Sequence, residues 1–264
     1  MPTEKYAGIP SGFTQLDELI RGFQKSSLTV LGARPGVGKT ELALAIARNV
    51  AVDNNQPVAV FSMEMSRNQI STRLLTAEAG IDSFLLRNGH LGKHDWVRVT
   101  EAAGVLERAP IYIDDSSGLT PTELRDRAGR LKKEKDINLV IIDSLQLMKT
   151  DHSKKSQDLE DLSGLPTFLK TLAKELDVPI LVCAQLRRPP EQSPEAGPNS
   201  NNDTRPLLAH LPLSCELEQK ADMVIFIYRD KTCKQPEGNA ASGIAEILVA
   251  KNRYGPVGEV CLEF

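Results

Sequence analysis

The stretch GARPGVGKT, residues 32–40, follows the apolar run SSLTVL and opens the helix-periodic run KTELALAIARNVAV. That order constrains the fold more than any other feature of the chain. A loop of the form A-x-x-x-x-G-K-T, from Ala33 to Thr40, can curl successive backbone N–H groups around a diphosphate. Gly36 and Gly38 reach conformations that a Cβ forbids, and Arg34, Pro35 and Val37 complete the turn. Lys39 then extends to the outer phosphates, and the Thr40 hydroxyl is a ligand for Mg²⁺. The expected helix, 39–52, places Ala43, Ile46, Ala47 and Val50 on one stripe, so it packs on a sheet and points its positive end at the loop. The strict motif begins with Gly, and Ala33 stands in that place.

Apolar runs recur along the chain at 27–33, 57–63, 110–115, 138–144, 179–185, 221–229, 245–253 and 258–264. The earlier ones are continuous and β-branched, separated by helical periodicity, which predicts strands buried on both faces by crossover helices. The fold class expected is α/β, a mostly parallel twisted sheet flanked by helices, with the closely spaced last strands turning antiparallel. Ser66 with Gln69, and Thr120 with Glu123 behind Pro121, read as capping boxes that start helices directly after strands. Ligands of such sheets sit at the carboxyl ends of the strands, so those ends hold the candidate site residues.

Composition narrows the class. A chain of 264 residues, 41% hydrophobic, suits one large domain, and 187–206, rich in Pro, Ser and Asn, reads as a flexible loop within it. No run approaches the length of a membrane span, and MPTEKYAGIPSGF lacks the apolar core of a signal peptide, so a cytoplasmic protein with no membrane partner is expected. Cys183, Cys215, Cys233 and Cys261 form no C-x-x-C pair and read as reduced thiols. A net charge of -3 supplies no whole-chain basic footprint, although a local channel in an assembly can be basic on an acidic subunit. The basic run at 125–136 alternates with acids and reads as a solvated helix face.

Further candidates lie at strand ends. Asp143, closing LVIID, is placed to hold the Mg²⁺ hydration shell beside a phosphate loop. Glu64, in FSMEMS, is a base or water-positioning carboxylate, or an exposed turn acid. Gln185 is an amide able to sense a γ-phosphate, or an ordinary strand-end residue. Lys251 and Arg253, two residues apart, point to one side of the chain, either at water or across a subunit interface where they would meet transition-state charge.

The ordered set GIPSGFTQLDELIRGFQ, GARPGVGKT, VAVFSMEMS, LVIIDSLQLM, LVCAQLRR, LEQKADMVIFIYRD and IAEILVAKNRYGPVGEV resembles the C-terminal ATPase domain of DnaB-type replicative DNA helicases, of RecA-like fold, over nearly the whole chain. The resemblance implies ATP and Mg²⁺ as ligands and ATP work by Lys39, Thr40, Glu64, Asp143 and Gln185. It implies action in trans by Lys251 and Arg253. It further implies a hexameric ring that translocates on single-stranded DNA and unwinds duplex, with a helicase loader and primase as partners. Family members carry an N-terminal helical domain ahead of the G-I-P-x-G-F run. The expectation is therefore one domain spanning 1–264, with a lead-in at 1–12 and without the region through which relatives assemble the ring and recruit primase.

Two departures stand out. The family's DNA loop reads L-R-E-S-G-x-I-E-Q, whereas 211–219 here read LPLSCELEQ, with Pro212, Leu213 and Cys215 in place of Arg, Glu and Gly. Gly164 and Pro166 fall where the family has an unbroken helix, so the helix should kink or restart at Pro166. The altered loop supports an alternative function, an ATP-binding assembly or regulatory module with degenerate DNA contacts.

Overall fold

The computed structural model describes residues 6–149, 164–187, 205–229 and 244–263. In chain order they form α1 (Thr14–Ile20), β1 (Leu28–Ala33), α2 (Lys39–Arg48), β2 (Val58–Ser62), α3 (Arg67–Ala79), α4 (Ser83–Arg87) and α5 (Lys93–Arg108). There follow β3 (Ile111–Asp114), α6 (Pro121–Lys135), β4 (Leu139–Asp143), α7 (Leu165–Leu176), β5 (Ile180–Gln185), α8 (Ser214–Lys220), β6 (Met223–Tyr228), β7 (Ile244–Asn252) and β8 (Gly258–Glu263).

The strands make one sheet in the order β3-β2-β4-β5-β1-β6-β7-β8. Pairing is parallel from β3 through β6, and β7 and β8 join antiparallel, as the close spacing of the last runs predicts. Continuous apolar runs produce the strands buried along their full length, β1, β2, β4 and β6. In β7 only alternate residues, Ala245, Ile247 and Val249, are buried, the period-2 signature of a strand covered on one face. The run at 110–115, expected to be buried on both faces, instead forms the half-buried edge strand β3, because it has a single neighbour, β2. Helices cover both faces. One side packs Leu124, Leu169, Leu172 and Leu217 of α6, α7 and α8, and the other packs Leu16, Leu42, Ile46 and Ile70 of α1, α2 and α3. Each such fully buried side chain contributes about 1.5–3 kcal/mol.

Local chemistry sets the element boundaries. Ser66 Oγ accepts from Gln69 N–H at 3.4 Å while Gln69 Oε1 accepts from Ser66 N–H at 2.9 Å. Thr120 and Glu123 make the same reciprocal pair at 3.3 and 2.9 Å. The helix expected over 39–52 is α-helical only to Arg48 and then widens into a π-turn, Asn49–Asp53. Periodicity does not separate the two forms, since Val50 and Ala51 are buried in the wider turn as well. Around that turn Arg48 ties Asp53 to Glu78 of α3, and Asn49 Nδ2 donates to Ser11 O at 3.1 Å. Pro166 sits in the first turn of α7, where its missing N–H costs nothing, and the segment ahead of Gly164 lies outside the described residues.

Candidate nucleotide site

The phosphate loop leaves the sheet at its centre. Ala33, the last residue of β1, pairs in register with Gln185 of β5 on one side and Ile227 of β6 on the other. The strand must pass close to β6 here, and a Cβ on Gly32 would stand 2.7 Å from the Phe226 ring. Gly36 and Gly38 have φ of 75° and 108°, the left-handed values the motif requires. Gly38 caps α2 without a side-chain acceptor, which leaves the first N–H groups of the helix and its positive end to a ligand. They face a cleft of about 500 Å³ lined by residues 33–41 together with Glu64, Met65, Arg73, Gln185 and Arg229.

Beneath the loop Asp143, 3% exposed at the tip of β4, organises the charges. Its Oδ2 accepts from Thr40 Oγ1 at 2.6 Å, and its Oδ1 lies 3.1 Å from Lys39 Nζ. Lys39 Nζ is also 3.8 Å from Glu64 Oε2. Burial alone would lower the pKa of the Lys39 ammonium, but the nearby carboxylates of Asp143 and Glu64 oppose it and hold the pKa above the ordinary value. The Cys183 thiol lies wholly buried below them, and burial with the nearby Asp143 carboxylate pushes its pKa well up. Glu64 itself is carried by a fixed turn. Ser62 Oγ donates to Met65 O at 2.9 Å and accepts from Met65 N–H at 3.1 Å, and Met63 N–H donates to Asp143 O at 2.7 Å.

The donor set fits a hydrated divalent cation of the Mg²⁺ type. Asp143 Oδ1 is buried and faces the Lys39 ammonium at 3.1 Å, and Thr40 presents a hydroxyl oxygen beside the carboxylate. Mg²⁺ takes one or two protein ligands and completes its octahedron with water and phosphate oxygens.

Two cations of the cleft escaped the sequence reading. Arg73, in the middle of α3, ion-pairs with Glu41 at the cleft wall, and Arg229 follows β6 beside the phosphate loop. Neither belongs to a local motif; the sheet order alone brings them there. Gln185 lies in the same cleft with an exposed side chain, while its carbonyl accepts from Gln146 Nε2 at 2.9 Å.

Lys251 and Arg253 lie elsewhere. Because β7 runs antiparallel to β6, with Val224 opposite Lys251 and Met223 opposite Asn252, their end of β7 is at the edge where β1 begins. That is the opposite edge of the sheet from the phosphate loop. Both cations fold onto the C-terminus of α8. Lys251 Nζ donates to Ala221 O at 2.7 Å and to Glu218 O, and Arg253 Nη2 donates to Gln219 O at 2.6 Å. Burial and the neighbouring Arg253 charge lower the pKa of Lys251. Asp222, 3% exposed and also missed in the sequence, accepts from Arg253 Nη1 at 3.3 Å, Lys170 Nζ at 2.6 Å and Leu28 N–H at 2.8 Å.

The segment at 211–219 does not form a projecting loop. Leu211 is fully buried, Pro212 is buried, and Leu213 packs against the same core, after which Ser214–Lys220 are helical. The left-handed residue is Leu213, φ 52°, rather than Cys215, which occupies the first turn of α8. Cys183, Cys215 and Cys261 are free thiols, whereas Cys233 and most of the 187–206 loop lie outside the described residues. The basic run at 125–136 is the outer face of α6, with Arg127 paired to Asp114 and Lys132 to Asp136. No helix among the described residues is long and apolar enough to cross a membrane.

Comparison with known proteins places this geometry. The family described as DnaB-like helicase C terminal domain matches residues 8–264. The replicative DNA helicase DnaB of Geobacillus stearothermophilus is 42% identical over 257 residues, covering 97% of this chain and 54% of that protein. The replicative DNA helicase DnaC of Bacillus subtilis (strain 168) is 41% identical, with the same 97% and 54% coverage. Among solved structures, a DnaB-like replicative helicase described with its interactions with primase superposes with a TM-score of 0.86 at 32% identity, covering 98% of this chain and 61% of that one. A second, described as an ATPase domain, gives 0.86 at 31% identity, covering all of this chain and 90% of that one. The chain thus spans about half the length of the curated relatives it matches.

Proposed function

The chain belongs to the family of DnaB-like helicase C-terminal domains, and from that premise we propose that it is the ATP-hydrolysing motor domain of a replicative DNA helicase. The observation that carries the reading is the joining of Lys39, Thr40 and Glu64 in one cleft, over a buried Asp143 that lies 3.1 Å from the Lys39 ammonium and accepts from Thr40 Oγ1, with Glu64 3.8 Å from the same ammonium. The loop N–H groups and Lys39 hold the β- and γ-phosphates of ATP, and Thr40 and Asp143 would hold a Mg²⁺ that would supply neutralisation of phosphate charge. Glu64 orients the attacking water or accepts its proton, and Gln185 contacts the γ-phosphate from the neighbouring strand end.

Lys251 and Arg253 stand at the opposite edge of the sheet from the phosphate loop of their own chain, so they do not reach the ATP held there. Three cations, Lys170, Lys251 and Arg253, gather at that edge around Asp222, an excess of positive charge that an anion relieves. Both facts support a second copy of the chain, in a hexameric ring, bringing its ATP to this edge. Hydrolysis around the ring then drives translocation on single-stranded DNA and unwinding of duplex in the cytoplasm. A helicase loader and, by way of the N-terminal domain that family members carry, primase are the further partners this reading implies. The test is stimulation of ATP turnover by single-stranded DNA, with salt-sensitive binding of the strand in the presence of a non-hydrolysable analogue.

A second reading draws on the burial of Leu211 and Pro212, which withdraws the segment that resembles the family's DNA loop. In it the domain is a nucleotide-gated assembly or regulatory module with degenerate DNA contacts. Introducing Pro212→Arg with Cys215→Gly separates the two: a gain in strand affinity locates the deficit in this segment, and no gain means that the segment does not limit binding.

A further inference from the structure

Arg253 is 48% exposed, yet its guanidinium has two fixed anchors. One nitrogen donates to Gln219 O at the C-terminus of α8, where the helix's negative end favours a cation. The other faces Asp222 Oδ1 at 3.3 Å. Asp222 is itself held by several partners. Its second oxygen takes the Leu28 N–H at 2.8 Å and the Lys170 ammonium at 2.6 Å, and its side chain is only 4% exposed. Lys170 is further tied to Ser26 O at 2.9 Å, so the carboxylate is built into the entrance of β1 and the face of α7. Lys170 already neutralises Asp222, so a second cation on the same carboxylate is not required to compensate a buried charge. Its geometric effect is to fix one side of a flexible fork while the remaining N–H groups stay exposed.

We propose that Asp222 is a positioning residue that aims Arg253 at the nucleotide of a second copy of the chain. The inference rests on the reading of Arg253 as acting across an interface. A guanidinium held at two points keeps its outer edge in one orientation before the partner arrives, so the cost of ordering it is not charged to each catalytic cycle. Losing the Asp222 anchor leaves Arg253 present and charged but misaligned, and misplacement by about 1 Å costs on the order of 10²-fold in rate.

The experiment uses the assembled protein and mixtures of variants. Asp222→Asn keeps the acceptor for Leu28 N–H and removes the charge that holds Arg253. It should assemble and bind nucleotide as the parent does, with kcat down about 10²-fold and KM little changed. Lys39→Ala has a dead phosphate loop and an intact Asp222–Arg253 pair. Mixing the two should restore turnover above either alone, because an intact phosphate loop then meets an intact fork across the interface. Arg253→Ala mixed with Lys39→Ala is the reference. If that reference pair fails to complement, the trans reading of Arg253 is wrong. If it complements and Asp222→Asn does not, Asp222 acts within its own subunit and the positioning role is overturned. Arg253→Lys, with Asp222 untouched, keeps the charge at an exposed position without the two-point fork. Turnover within about 3-fold of the parent would also overturn the proposal, and a loss approaching that of Arg253→Ala supports it.

Discussion

Asp143→Asn tests the charge balance under the phosphate loop. The substitution preserves shape and an acceptor for Thr40 Oγ1, now 2.6 Å away, and removes the anion 3.1 Å from Lys39 Nζ. Leaving one member of a buried ion pair alone costs about 3–5 kcal/mol. The Lys39 side chain is 11% exposed at the cleft, and Glu64 remains 3.8 Å away, so relaxation toward Glu64 and water reduces the loss to about 2 kcal/mol. For a domain of this size that is a fall of about 4–8 °C in Tm. The pH dependence gives a second, sharper check. Lys39 has a raised folded-state pKa, so its stabilisation is fully present below the ordinary ammonium pKa and is lost as pH rises through the raised value. In Asp143→Asn burial is less opposed, the folded pKa falls, and the gap in Tm between the two proteins is present at neutral pH and closes at strongly alkaline pH. Calorimetric unfolding of nucleotide-free protein from neutral to strongly alkaline pH reads both effects. A variant as stable as the parent at neutral pH, or more stable, would refute the view that Asp143 holds Lys39 in place before ATP arrives.

The remaining expectations are simpler. Glu64→Gln should retain nucleotide affinity, measured by titration of a fluorescent analogue, and lose about 10²–10⁴-fold in turnover, since the carboxylate acts on water rather than on the bound phosphates. Retained turnover would return Glu64 to the status of an exposed turn acid. Ser66→Ala removes the hydroxyl of the α3 capping box while leaving the cleft intact, so unfolding should show a loss of about 1 kcal/mol with unchanged nucleotide binding.

Much of this was legible in the sequence because the signals are local. A β-branched run buried on both faces has one reading at that length, and the eight runs fall on the eight strands within a residue or two. Gly36, Gly38, Lys39 and Thr40 are fixed by the loop's own backbone, and the Ser66 and Thr120 caps by side chains three residues apart. What escaped depends on the sheet order. Arg73 is an ordinary helix residue until β2 is set two places from β5, and Asp222 reads as a loop acid until β6 is laid against β1. The spacing of Lys251 and Arg253 predicts a shared side but not the edge of the sheet, which follows only from the antiparallel entry of β7. The edge position of β3 is likewise a matter of which strand has no second neighbour. At 211–219 the departure from the family pattern was visible, but the burial of Pro212 required the packed core.

The central claim is that ATP bound at one subunit's phosphate loop is hydrolysed with the help of another subunit's cations and that single-stranded DNA stimulates the cycle. Steady-state ATP hydrolysis, measured across protein concentration with and without an unstructured single-stranded DNA, tests it most directly. Turnover should rise faster than linearly with protein and be stimulated by the strand. Turnover strictly proportional to protein concentration and indifferent to DNA would contradict the claim, leaving a nucleotide-binding domain that acts alone.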